Sequence, residues 1–444
     1  MRIVLWKYRN LVSAMLFASV ARAADPWNGV PMNATNLGEL GLRVSEPVVV
    51  ALSAVGEKRW GYHQFPAIFR LPDGRVLLTF NNCPDREDAY GKPGPAYVSS
   101  DEGVTWAAWT PPDAMLSIAD SAISDVGHGE YLCVPMSRPL DLVQEKVALP
   151  APVATMDVYG EVLLHRLDQC SDQVQAFMRA IPATRWIPDQ KQWRRETMAW
   201  DMEQAFIRTR QAEQVIARPY IDKAILAVDG VLYYPGYHVP YVLPDGTTPR
   251  NFACWCMTSE DQGHTWRRQG LIAADASGDL MMGEPCMVPT TSGNLACVIR
   301  CADQNQKPMR ITYSADKGRT WSAPTPLYDF GVMPQALLLS NGVTVLSFGR
   351  PGVRLMFSPD GSAKHWTAPL SLIAGDATNI YAHSCGYTRL LPAGNDSFLI
   401  AYSDFAYPAK DGGLCKAILI RKVQVSRNEG AAPLPPAIQL EDRR

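Results

Sequence analysis

Glu284 and Arg300 stand sixteen residues apart in GEPCMVPTTSGNLACVIR, at the two ends of an apolar stretch that carries one glycine-bearing turn. If that stretch is a hairpin, its ends return to each other and the carboxylate lies beside the guanidinium. Arg350 ends a similar stretch, LLLSNGVTVLSFGR, and Tyr387 heads a third, in HSCGYTRLLPAG. Two guanidiniums facing one place suit a carboxylate or another anion, because their planar forks match such groups. Tyr387 is either an aromatic of the core or a phenol that does chemistry, and its immediate neighbours do not decide which.

The elements that must position these residues are repeated. SSDEGVTW (99–106), SEDQGHTW (259–266), SADKGRTW (314–321) and a degenerate SPDGSAKHW (358–366) share the pattern S-x-D-x-G-x-x-W. Physically this is a turn: Ser and Asp cap nearby backbone N–H groups, Gly takes a conformation others resist, and Trp plugs onto a sheet. It is the Asp box, a fold marker whose Asp serves structure rather than catalysis. Apolar hairpins with glycine turns recur independently at 68–80, 123–136, 225–237, 287–300, 337–350 and 389–402. Six hairpins, four of them followed by an Asp box, predict an all-β chain: a six-bladed β-propeller of four-stranded blades. The sixth blade has no box and is expected to close on an early strand near EPVVVALS (46–53), which removes exposed sheet edges. The interval 138–219 is irregular. It is expected to hold outer strands of blade 2 plus an insertion, with ETMAWDMEQAFIRTRQAEQVI as a short helix or outer strands.

In such a ring the open ends of the inner hairpins surround one mouth. This predicts a rim of His63, Gln64, Asn81 and Asn82 from blade 1, and Asp120 and Arg138 from blade 2. Blade 3 gives Tyr220, Asp222, Tyr237 and His238; blade 4 gives Glu284 and Arg300; blade 5 gives Arg350; blade 6 gives Tyr387 and Asp404.

Bulk properties narrow the partners. A formal net charge of −2 offers no basic field for nucleic acid. Arg2, Lys7 and Arg9 precede the apolar LVSAMLFASV, and ARA follows at 21–23. That is the pattern of a secretory signal peptide over 1–23, cleaved after Ala23, and it predicts a secreted or periplasmic protein with no membrane span. The propeller is expected over 24–426 and a flexible polar tail over 427–444. The ten cysteines are read mostly as buried small apolar residues. The seven histidines are dispersed and H-E-x-x-H is absent, so no metal site and no cofactor are expected.

With these motifs in place, the chain from about 60 to 425 resembles the sialidase (neuraminidase) superfamily. The segment with Glu284 and Arg300, the SFGRPG with Arg350 and the CGYTRLLPAG…LIAYSD with Tyr387 are similar to the family's own. Counting back from the first Asp box, Asp88 in REDAYGKPG falls where the family keeps its acid/base. The resemblance implies a glycosidase acting on a glycan, with a tyrosine nucleophile in place of the usual second carboxylate. It gives Tyr387 as nucleophile, Glu284 as its base, Asp88 as acid/base, and Arg300 and Arg350 as holders of a substrate carboxylate. One departure stands out. Where the family opens blade 1 with Arg-Ile-Pro, this sequence has Gln64 in YHQFPAIF, with Arg70 at the wrong end of the hairpin. Gln64 and His63 are therefore expected in substrate binding, with the missing third cation supplied by His63, Arg138 or a residue of the insertion, unless the substrate is not an ordinary sialoside. Two further readings stay open: a propeller glycosidase or lyase for another sugar, and a non-catalytic carbohydrate-binding propeller.

Overall fold

The computed structural model describes residues 25–115, 122–301, 307–394 and 396–428. The expected signal peptide, Asp120 and all but the first two residues of the expected tail lie outside them. Of those two, Arg427 ends a strand, Leu414–Arg427, and the Asn428 N–H donates to Glu39 O at 2.8 Å, so blade 6 runs slightly past the expected boundary at 426.

Six hairpins form the inner pairs of six blades, as the repeat predicts. They are Tyr62–Arg70 with Val76–Asn82, Ile123–Gly127 with Glu130–Cys133, and Leu226–Val228 with Val231–Gly236. The second half of the ring has Gly283–Pro289 with Leu295–Arg300, Val332–Leu338 with Thr344–Gly349, and Thr388–Pro392 with Ser397–Pro408. Blades 1, 4 and 5 are separate four-stranded sheets. Blades 2 and 3 are joined by a parallel bridge that sets Trp200 against Trp266.

The Asp boxes behave as their composition dictates. In the first, Ser99 Oγ accepts from Gly103 N at 2.7 Å and Asp101 accepts from Thr105 N at 2.8 Å, while Trp106 Nε1 donates to Gly103 O at 2.9 Å. The degenerate fourth copy keeps the design with Ala363 in the glycine's role, at φ 58°, donating to Ser358 Oγ and accepting from Trp366 Nε1.

Blade 6 closes where expected. Val48–Leu52 pairs antiparallel with Leu414–Arg427, and a hairpin of Met32–Leu37 and Leu40–Ser45 extends the same sheet. Lys416 on the closing strand is buried and donates from Nζ to the carbonyls of Arg59 and Tyr62, which ties blade 6 to the entry of blade 1.

Blade 2 is split. Its outer strands, Ala180–Ile187 and Gln192–Trp200, come after an excursion whose strands Ala154–Asp157 and Glu161–Arg166 form a three-stranded sheet with the later Phe206–Thr209. The helix of the interval is Asp172–Arg179, earlier than the ETMAW segment, which is strand. Nine of the ten cysteines are buried, and all ten are free thiols. No helix among the described residues is long and apolar enough to cross a membrane.

Candidate active site

The inner hairpins of blades 4, 5 and 6 end at one cavity. Glu284 sits on a bulge near the start of its strand, with φ 44°, and the bulge turns its carboxylate to the ring axis. One carboxylate oxygen accepts from Arg300 Nη1 and from the Tyr387 hydroxyl, and the other accepts from Met333 N at 2.7 Å. Arg300 Nη1 also lies 3.3 Å from the Tyr387 oxygen, and its Nη2 donates to the Tyr159 hydroxyl. Burial, and then the charge of Glu284, hold the Tyr387 phenol well above its ordinary pKa, against the pull of Arg300 and Arg350. The resting site is thus a protonated phenol donating to a carboxylate.

Arg350 joins them through a close backbone approach. A Cβ on Gly386 would stand 2.5 Å from Arg350 N, so only glycine lets blade 5 end against the start of blade 6. The Arg350 guanidinium donates to Cys385 O at 2.7 and 3.0 Å, and its centre lies 5.0–5.6 Å from the rings of Trp60, Tyr381 and Tyr387.

A cavity of about 410 Å³ includes Phe65, Asp85, Tyr159, Glu284, Arg300 and Tyr387 in its wall. A connected lobe of about 530 Å³ adds Trp60, Arg350 and Tyr381. Trp60, Tyr159 and Tyr381 are the solvent-exposed large aromatic side chains among the described residues, and all three border this space.

Three expected residues stand elsewhere. Asp88 is turned outward, with 39% of its side chain exposed and paired to Arg86 at 2.5 Å. The carboxylate that faces Tyr387 across the cavity belongs to Asp85, held by Trp60 Nε1 at 2.9 Å. Asp85 is exposed at the mouth, with the cavity wall crowded around its carboxyl. Desolvation by that crowding raises its pKa above the ordinary carboxylate value, and the charge of Glu284 adds to this, against the Trp60 hydrogen bond and both arginines. Gln64 is fully buried beside Asn81, with neither amide atom hydrogen-bonded. Register shifts at Tyr62/Gln64 and Gln64/Ala67, with positive φ at His63 and Phe65, rotate the strand so that Phe65 forms the wall. His63 is half-buried against Phe80, outside the cavity wall, and desolvation lowers its imidazole pKa.

Asp85, Phe65, Trp60 and Tyr159 were missed because they lie on loops and bulges, where no periodicity marks direction. For Asp85 the sequence did carry a usable sign: it is the first carboxylate after the end of the blade 1 hairpin. Among the described residues no group of His, Cys, Asp and Glu could hold a metal ion.

Residues 158–410, more than half of the chain, match the BNR repeat-like domain. The chain belongs to this family. Membership bears out the resemblance to the Asp-box propellers of the sialidase superfamily. No curated protein matches this BNR repeat-like chain. Among solved structures, a protein of unknown function from Dyadobacter fermentans is 18% identical, with TM-score 0.57 over 87% of this chain and 99% of that one. At that identity the likeness concerns the fold. A Trypanosoma rangeli sialidase is 14% identical with TM-score 0.45, and the match covers 88% of this chain but 59% of that one. An alpha-L-arabinofuranosidase from Fusarium graminearum is 14% identical with TM-score 0.48, over 84% and 96% of the two chains.

Proposed function

We propose that this protein is a secreted, exo-acting, retaining glycoside hydrolase that removes a terminal sialic acid or related acidic sugar, with Tyr387 as its nucleophile. The observation that carries the reading is the Tyr387 hydroxyl donating to Glu284 inside a cavity that Asp85 faces. As the phenol oxygen attacks the anomeric carbon, Glu284 takes its proton, which removes the obstacle set by the raised phenol pKa. Asp85, whose raised pKa favours its acid form, donates to the leaving oxygen and then, as carboxylate, activates the water that releases the sugar. A phenol suits a substrate whose anomeric carbon bears a carboxylate, since an anionic nucleophile would be repelled. Arg300 and Arg350 supply positive charge on that side, and Trp60, Tyr159 and Tyr381 offer faces for sugar stacking.

A second reading has its own support. Phe65 occupies the wall where a third cation was expected, and Arg350 already donates twice to Cys385 O. The anion clamp is thereby weaker, which favours a glycosidase for a sugar of lower charge. Hydrolysis of an aryl α-sialoside beside a panel of other aryl glycosides separates the two. Turnover of the sialoside supports the first, while turnover of another glycoside alone supports the second. Release of an unsaturated, ultraviolet-absorbing product would point to a lyase. In either hydrolase Tyr387→Phe should cut kcat by roughly 10³-fold or more with the fold intact. A Phe variant near wild-type rate would refute the nucleophile. The reading includes export after cleavage behind Ala23, which the mass of the mature protein reads.

A further inference from the structure

The ring axis carries a second cavity, of about 460 Å³, whose wall is made by the inner strands away from the Tyr387–Glu284 pair. Its wall is mostly aliphatic, with Ile68, Ile225, Leu337, Leu338 and Leu390 among its members. Buried polar groups with long side chains enter it from three blades, Lys223 ahead of blade 3's inner strand, Gln335 in blade 5 and Arg389 in blade 6, while Arg70, Asp125 and Tyr131 of blades 1 and 2 border it less buried. Strand alternation explains Arg389. Thr388 turns away to Ser347 Oγ at 2.7 Å, so Tyr387 and Arg389 share the axial side, one serving each cavity.

These groups are buried and poorly matched. Lys223, Arg389 and Gln335 are 2%, 4% and 5% exposed. The Lys223 Nζ donates to the thioether of Met333 at 2.9 Å, a weak acceptor for an ammonium. Arg389 reaches Gln335 Oε1 at a long 3.4 Å, and both Arg389 Nε and Gln335 Nε2 have no partner. Asp222 is the neighbouring carboxylate, but it accepts from Tyr234 at 2.7 Å and belongs to the wall of the catalytic cavity. Arg70, paired with Glu102, and the exposed Asp125 also border the cavity, but among its buried groups Lys223 and Arg389 have only Asp222 as a neighbouring carboxylate, which leaves a positive excess in a buried place.

We propose that this second cavity binds a short-chain carboxylate. Its head would lie against Lys223, Arg389 and the Gln335 amide, and its alkyl tail along the aliphatic wall. The site is separate from the glycosidase reading and stands whether or not that reading does. Calorimetric titration of the whole protein with sodium acetate, butyrate and hexanoate, against sodium chloride at constant ionic strength, tests it. Saturable binding is expected, with affinity rising up to about fourfold per added CH₂ as the tail is buried. Arg389→Gln should weaken hexanoate binding tenfold or more. Leu338→Trp, at a half-buried wall position, should abolish the dependence on chain length, and it carries the test if the arginine variant fails to fold. The proposal is overturned by absence of saturable binding, by equal affinity for chloride and hexanoate, or by binding that folded variants leave unchanged.

Discussion

Asp85 and Asp88 are three positions apart in one irregular loop, yet they meet opposite environments. Asp88 faces solvent beside Arg86, and exposed pairs of that kind contribute little. Asp85 faces the cavity with a raised pKa. On substrates with poor leaving groups, Asp85→Asn should lower kcat roughly 10²–10⁴-fold, with a much smaller loss on activated aryl glycosides. Asp88→Asn should stay within about twofold. The direction of the shift also sets a pH dependence. The acid form persists above the ordinary carboxylate range, so wild-type kcat on unactivated substrate should hold there and fall as pH rises through the Asp85 pKa. Asp85→Asn should lose that limb. Linkage gives a companion effect: ionised Asp85 is a cost to the folded state above its raised pKa, so the Asn variant should unfold at slightly higher temperature near neutral pH. The convergence of Glu284, Arg300 and Tyr387 was legible because hairpin ends return to one place. The aim of residues 64 and 65 was not, because two register shifts decide it and alternation cannot foresee them.

At the scale of elements, the Asp-box tryptophans differ in burial although their motifs match. Trp266 is 0% exposed and stacks with Trp200 at 6.0 Å, whereas Trp106 and Trp321 are half-buried. Trp266→Ala should cost about 3–5 kcal/mol, and alanine at 106 or 321 clearly less, as read by urea unfolding. Equal losses at all three would mean that the turn, rather than the plug, holds the blade. The hairpins themselves were readable from alternation and glycine turns. That 138–219 holds outer strands of blade 2 and an insertion was readable too, but which residues do which was not, because nothing local marks Ala180–Ile187 as a partner for Glu130–Cys133. That excursion brings Tyr159 to Arg300, so the least legible element supplies a wall of the site.

For the whole molecule, closure rests on the pairing of Val48–Leu52 with Leu414–Arg427. Removing residues 1–52 should leave that strand as an open edge. The expected result is a lower thermal midpoint and more light scattering than for a chain beginning at Ala24; equal behaviour of the two would show that the other strands suffice. The seam was foreseeable from EPVVVALS, since a ring of hairpins with one unboxed blade needs an outer strand from elsewhere.

The seam also orders events in time. Lys416 N donates to Ser53 Oγ across 363 residues of sequence. A ribosome delivers the first of these partners long before the second, so blades 1 to 5 can be assembled while the ring still gapes. The loop-closure entropy of joining the ends is met only once residues 414–427 have been made. Blade 1 must therefore wait, one flank unprotected, for a strand that does not yet exist, and a nascent chain stalled before residue 414 should be the form most in need of a chaperone.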